Sequence, residues 1–156
     1  MENSILDIAN NVTQNGIELI PATNQEIDFL KSSISKSLPQ SYIQYLMLMG
    51  NGTPNGFLKG HSCFLNELLN LKEWSNELLD ENNFEKKLTE DDFVFWMSQG
   101  YQFVFFKLNE GNNPPIYYYR EGTNQLDFIK ITNSFTEFLY RLSINDKYLF
   151  DIERAS

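Results

Sequence analysis

Hydrophobic residues in the first half of the chain recur every three or four positions, which is the spacing of amphipathic helices. The pattern predicts four helices. The first is a short helix near residues 5–12, the second has Asn24 as its N-cap, and the third begins at Pro39 and ends at Gly50. The fourth is longer and covers residues 64–84. We therefore expect a helical N-terminal half. The first of these helices is indicated by Ile5, Leu6, Ile8 and Val12. The apolar positions predicted to share one face of the later helices are Ile27, Leu30 and Ile34, then Tyr42, Leu46 and Met49 with Ile43 beside them, then Leu68, Leu69, Leu71, Trp74, Leu78 and Leu79.

The second half of the chain shows the alternating pattern of strands. Half of the fourteen residues in the block FVFWMSQGYQFVFF are aromatic, and a hairpin of residues 93–97 and 101–108 explains that block best. A second strand pair is predicted over residues 116–120 and 126–131, and Ser134 begins a closing helix with a capping box. The predicted fold class is α+β, with an antiparallel sheet of about four to six strands packed with the N-terminal helices and a closing C-terminal helix.

Length and composition predict a single domain that folds alone. The 156 residues suffice for one hydrophobic core, so we expect residues 1–156 to form one domain. Cys63 is the only cysteine and cannot form an internal disulfide bond. No apolar run approaches the roughly 20 residues that a membrane span needs, and the N-terminal sequence lacks the pattern of a secretory signal. A cytoplasmic protein without a membrane partner is the expectation.

The charge of the chain argues against a nucleic-acid partner. The net charge is −9, and the 12 basic residues are scattered rather than grouped into a phosphate-binding surface. Residues 67–92 carry nine acidic and three basic side chains, which makes this segment a local centre of negative charge. It is interpreted either as a solvated surface or as a site whose field steers a basic partner.

The sequence contains few side chains that perform chemistry. His61 and Cys63 form a conceivable thiolate–imidazole pair, but a Cys63 beside apolar neighbours is more typical of a structural residue. Neighbouring carboxylates at Asp91 and Asp92 point to opposite faces of a strand, so they do not serve one substrate together. We predict no catalytic residue, no metal site and no cofactor, and hence a binding module rather than an enzyme.

A binding surface is predicted from the acidic segment and from exposed aromatic side chains. In a strand, Tyr117 and Tyr119 face one way and Tyr118 the other, so one side of the tyrosine run is either core or a protein-binding patch. The acidic residues are likewise either an exposed turn or a contact surface. The candidate partner-binding residues are Asp80, Glu81, Glu85, Glu90, Asp91, Asp92, Trp96, Tyr117 and Tyr119.

Four sequence blocks in order resemble the SUKH superfamily, and specifically its branch related to the fungal cell-wall synthesis regulator. They are LPQSYIQYLMLMGNG from Leu38, DFVFWMSQGYQFVFFKL from Asp92, PPIYYYRE from Pro114 and SFTEFLYRL from Ser134. The resemblance covers about residues 24–142. It implies an α+β domain without a catalytic centre.

The resemblance also implies a function. Bacterial members are typically immunity proteins that bind and neutralise a cognate toxin, often a nuclease, whereas fungal members act as regulatory scaffolds. A toxin that acts on nucleic acid tends to be basic, in agreement with the acidic charge of this chain. We therefore predict an immunity protein that occludes the active site of a basic toxin. A regulatory or scaffold domain that recognises a host protein or a small ligand is the alternative.

Overall fold

The chain builds five helices and a four-stranded sheet in the part that its computed structural model describes, namely residues 4–58, 63, 65–98, 100–122, 125–145 and 147–149. The described elements confirm the α+β class, with helices first, then an antiparallel sheet and a closing helix. Their order is α1 (Ile5–Gln14), α2 (Asn24–Ser32), α3 (Gln40–Met49), α4 (Leu65–Glu81), β1 (Asp92–Ser98), β2 (Gln102–Lys107), β3 (Ile116–Arg120), β4 (Ile129–Thr132) and α5 (Phe135–Ile144).

Local side-chain caps set the starts of the helices. Thr23, rather than the predicted Asn24, caps α2: its hydroxyl accepts from the N–H of Glu26 at 3.1 Å. Glu26 in turn accepts from the N–H of Thr23 at 2.9 Å. This reciprocal pair is a capping box, and it satisfies two backbone donors that the helix leaves open. Pro39 was predicted to be the first residue of α3, but it is the N-cap residue, and the helix begins at Gln40.

The four strands form an antiparallel meander in the order β1-β2-β3-β4. A bulge between Val94 and Trp96 interrupts the pairing of β1 with β2. Because of the extra residue, Phe95 and Trp96 both contact the ring of Phe138 in α5 instead of alternating between the two faces of the sheet. Trp96 therefore lies in the core.

An aromatic cluster fills the space between the sheet and helices α3 and α5. Tyr42 of α3 lies at its centre, with ring centroids 5.2 to 5.9 Å from those of its neighbours. Most of these contacts are edge-to-face, the arrangement that aromatic quadrupoles favour. This cluster holds the N-terminal and C-terminal helices on one side of the sheet. Its members around Tyr42 are Tyr45, Phe93, Phe95, Phe106 and Phe135.

The opposite face of the sheet is covered by the chain that follows α4. Phe84, three residues beyond that helix, packs edge-on against Tyr119 of β3 at 4.7 Å and also contacts Phe128. Phe128 in turn lies over Phe103 and Phe105 of β2. The buried Phe84 thus fixes the path of the acidic stretch between α4 and β1.

The last strand is shorter than predicted, and a side chain explains why. Gln125 donates to the carbonyl of Tyr118 at 3.0 Å and accepts from the N–H of Arg120 at 2.9 Å. Its amide therefore occupies the position where a strand residue would pair with β3, and Leu126 is left exposed in a bend. β4 begins only at Ile129.

The helices of the described ranges all lack the combination of length and apolar character that crossing a bilayer requires.

Candidate functional site

The exposed side of α4 carries a row of carboxylates. Glu73, Glu77, Asp80 and Glu81 are exposed; Glu77 follows Glu73 by four residues, and Asp80 and Glu81 follow Glu77 by three and four, so the four share one face of the helix. We call these four residues the α4 acidic face. Like charges at this spacing repel one another, so folding itself gains nothing from the row. The row gives the surface of α4 a local negative field.

Two large apolar side chains flank the α4 acidic face. Leu69 is 48% exposed and Trp74 is 38% exposed. The prediction that both lie on the buried face of this helix is wrong, because of the six apolar side chains predicted for that face Leu68, Leu71, Leu78 and Leu79 are buried whereas these two are exposed. α4 therefore presents carboxylates and partly exposed apolar side chains together.

The chain between α4 and β1 extends the negative surface. Glu85 and Glu90 are exposed there, and with Glu81 they form no ion pair to any residue that the structure describes. Asp80 pairs with Lys87 at 2.7 Å, and Asp91 pairs with Lys36. Exposed pairs of this kind contribute little to stability.

Asp92 differs from the other acidic candidates because its side chain is buried. It accepts from Nζ of Lys107 at 2.8 Å and from the N–H of Thr89 at 2.7 Å. The bond from Lys107 ties the start of β1 to β2, where Asp92 is the register partner of Lys107, and the bond from Thr89 holds the turn that precedes β1. We assign Asp92 a structural role and leave it out of the contact surface.

Replacing Asp92 with asparagine is expected to lower the free energy of unfolding by about 1–3 kcal/mol, because the Lys107 ammonium loses a charged acceptor. Urea denaturation of the folded chain measures this through the midpoint. Glu81→Gln is the matched control, since it removes an exposed carboxylate of α4. Its free energy of unfolding should change by less than about 0.5 kcal/mol. An unchanged midpoint for Asp92→Asn would contradict the structural role assigned to its bonds with Lys107 and Thr89.

The aromatic candidates are placed mostly in the core. Trp96 is 1% exposed and Tyr119 is 4% exposed, so neither offers a surface to a partner. Tyr117 is half-buried; its ring stacks on Phe105 and its hydroxyl donates to Glu110 at 2.9 Å. Burial, followed by the hydrogen bond to Glu110, raises the pKa of Tyr117 to about 12. Tyr117 is thus the member of this group that reaches the surface.

The thiol considered for nucleophilic chemistry is inaccessible. Cys63 is fully buried, and burial raises the pKa of its thiol well above the ordinary value. At neutral pH the side chain is therefore a thiol, which is a poor nucleophile. His61, the other member of the pair considered in the sequence, lies outside the described residues. Across the described ranges, three or more His, Cys, Asp and Glu side chains are nowhere grouped closely enough to ligate a metal ion.

The candidate residues chosen from the sequence include the C-terminal end of α4 but not the middle of that helix. Glu73, Trp74 and Glu77 were not among the candidates, although all three are exposed. The signal that finds them is the helical spacing of the carboxylates, which places Glu73 and Glu77 in line with Asp80 and Glu81. Counting charge along the sequence does not reveal this alignment.

Comparison with known proteins identifies a matching family. The model of the SMI1/KNR4 family (SUKH-1) matches residues 21–141, which include α2, α3, α4, the whole sheet and most of α5. The immunity protein YxxD of Bacillus subtilis (strain 168) is 26% identical over 143 residues, an alignment that covers 86% of this chain and 89% of that relative.

Proposed function

Because the chain belongs to the SMI1/KNR4 family (SUKH-1), we propose that it is an immunity protein that binds a cognate bacterial toxin in the cytoplasm and blocks the toxin's active site. The name of the relative from B. subtilis supports this proposal. The role is one of binding and requires no chemical step from the chain itself. The toxin is a separate protein with a basic active-site cleft, for which a nuclease is the fitting class.

The observation that carries the proposal is the α4 acidic face. A nuclease needs cationic side chains where it holds the phosphates of its substrate. Exposed carboxylates at Glu73, Glu77 and Glu81 have the charge needed to occupy such positions. Glu85 and Glu90 extend the same sign of charge beyond the helix. The resulting field accelerates the encounter with a basic protein and disfavours an acidic one.

The proposed interface also needs an apolar anchor, since charge sets the rate of encounter more than the lifetime of a complex. Buried Trp96 and Tyr119 do not supply it. Trp74, which borders the α4 acidic face and is partly exposed, takes this role in the proposal. Tryptophan is among the residues that contribute most at protein interfaces.

Co-expression tests the function directly. An immunity gene normally lies directly downstream of a large toxin gene, so the probe is the C-terminal domain of the protein encoded immediately upstream. We expect that domain alone to stop growth of the host, growth to return when this chain is co-expressed, and the two proteins to purify together. The control is a catalytically inactive variant of the toxin domain, which should still purify with the chain. Growth arrest that the chain does not relieve, with no complex recovered, would contradict the proposal.

A further inference from the structure

An apolar groove lies between α2 and α4, next to the α4 acidic face. Its main cavity has a volume of about 360 Å³ and has Phe29, Leu30, Leu65 and Leu69 among its lining residues. Phe29 stands at the rim with 66% of its surface exposed. Exposed apolar surface that is continuous with an apolar cavity, as at Phe29, is typical of an interaction site. We call these four residues the α2–α4 groove.

The groove continues toward the acidic segment. A second cavity of about 240 Å³ shares Leu69 with the first and reaches Ile34 and Glu90. The two cavities therefore adjoin at Leu69. Together they form an apolar seam along α4 that begins at Phe29 and ends beside one of the carboxylates of the acidic surface.

The charges around the groove are predominantly negative. Glu26 lines the main cavity, and its carboxylate is held by the N–H of Thr23 at 2.9 Å and by the amide of Asn51 at 3.0 Å. These hydrogen bonds keep the pKa of Glu26 below its usual value, so the group stays ionised. On α4, Glu73 follows Leu69 by one helical turn and is exposed.

The nearby cations do not cancel this negative rim. Lys72 lines the second cavity and keeps its positive charge while its ammonium donates to the carbonyl of Thr89. The carboxylates of Glu90 and Asp92, however, line the same cavity and outnumber it. Lys36 is paired with Asp91. Lys31 lies two positions from Phe29 and therefore projects from nearly the opposite side of α2. A ligand in the groove thus meets an apolar floor and carboxylates at its edge.

We propose that the α2–α4 groove receives an apolar side chain from a basic amphipathic segment of the toxin, whose Lys and Arg residues pair with Glu26 and with the α4 acidic face. This inference rests on the proposed function and adds a second apolar contact to that interface, beside Trp74. The main cavity is near the lower end of the range for small-molecule sites, about 300 Å³, and it suits an inserted side chain. Charge complementarity favours a basic protein segment over a second copy of this acidic chain.

The groove explains how the complex is held once it has formed. An apolar side chain that enters it removes exposed surface of Phe29 and Leu69 from water, which contributes in proportion to the area buried. Residues that fill a pocket at the centre of an interface dominate affinity when the surrounding contacts exclude water. The carboxylates at the edge of the groove then fix the orientation of the bound segment.

The test uses the upstream-encoded toxin domain, in an inactive form, as the binding probe for variants of the full chain. We expect Phe29→Asp to raise the dissociation constant about tenfold or more, mainly through faster dissociation. Leu69→Asp provides an independent second variant. Leu6→Asp is the matched control, because Leu6 is 58% exposed on α1 and outside the groove. Circular dichroism and thermal midpoints confirm that each variant is folded.

The outcomes separate the groove from the function. If the unaltered chain does not bind the toxin domain, the proposed function fails. If it binds and both Phe29→Asp and Leu69→Asp bind equally well, the groove proposal is overturned and the function stands. If sedimentation shows that the chain alone self-associates and Phe29→Asp abolishes this, the groove is a homodimer surface and the proposal is wrong.

Discussion

Replacing Tyr42 with alanine is expected to lower the free energy of unfolding by about 3–5 kcal/mol, the range for removing a large aromatic side chain from a core. The Tyr42 ring contacts Phe93, Phe95 and Phe106 of the sheet and Phe135 of α5. Its removal leaves a cavity where the helices meet the sheet. Since domains of this size are typically stable by about 5–15 kcal/mol, a large share of the total is lost.

Tyr42→Phe is the control for the hydroxyl of that residue. The hydroxyl is buried and has no hydrogen-bond partner within the described part of the chain. Deleting it alone should therefore leave stability unchanged or slightly higher, since no bond is broken. Urea denaturation measures the free energy of unfolding of both variants, and the comparison holds when that free energy falls with urea concentration at the same slope. A loss for Tyr42→Phe as large as that for Tyr42→Ala would show that the hydroxyl, and not the ring contacts, stabilises the core.

Most elements of the fold were predictable because their signals are local. The helical spacing of apolar residues gave α2, α3 and α4, and strand β3 was predicted with its observed limits of Ile116 and Arg120. Interactions between distant residues explain the differences. The bulge that turns Trp96 toward Phe138 depends on the pairing with β2. Periodicity along one strand does not indicate such an extra residue.

The negative charge of the candidate surface was predictable from the sequence, but the residues that are exposed on it were not. Charge counting located the negative segment, but exposure of each member depends on its neighbours in the fold. Asp92 is buried because Lys107 lies opposite it on β2, a relation set by strand register. Tyr119 is buried because Phe84 folds back over the sheet from beyond α4. Both partners are distant in sequence, so composition alone gives no indication of them.

Reversing two charges of the α4 acidic face, with Glu77→Lys and Glu81→Lys together, is expected to lower the association rate constant with the toxin domain by about tenfold or more at low salt. The reason is the loss of steering: the carboxylates of this face supply much of the local field, and lysines repel a basic partner. Folding should be preserved, because positive charge near the C-terminal end of a helix interacts favourably with its dipole. Stopped-flow mixing across a range of ionic strength provides the measurement.

The matched control reverses two exposed carboxylates away from that face, Glu18→Lys and Glu121→Lys. Each reversal adds two positive units, so both double variants move the net charge from −9 to −5. If steering comes from the local field, only the α4 variant slows association and flattens its salt dependence, since screening acts on charges near the encounter. Equal slowing in both variants would mean that total charge, rather than the α4 acidic face, attracts the partner. Phe29→Asp, in contrast, should change dissociation more than association, so the two surfaces are separable by kinetics within one complex.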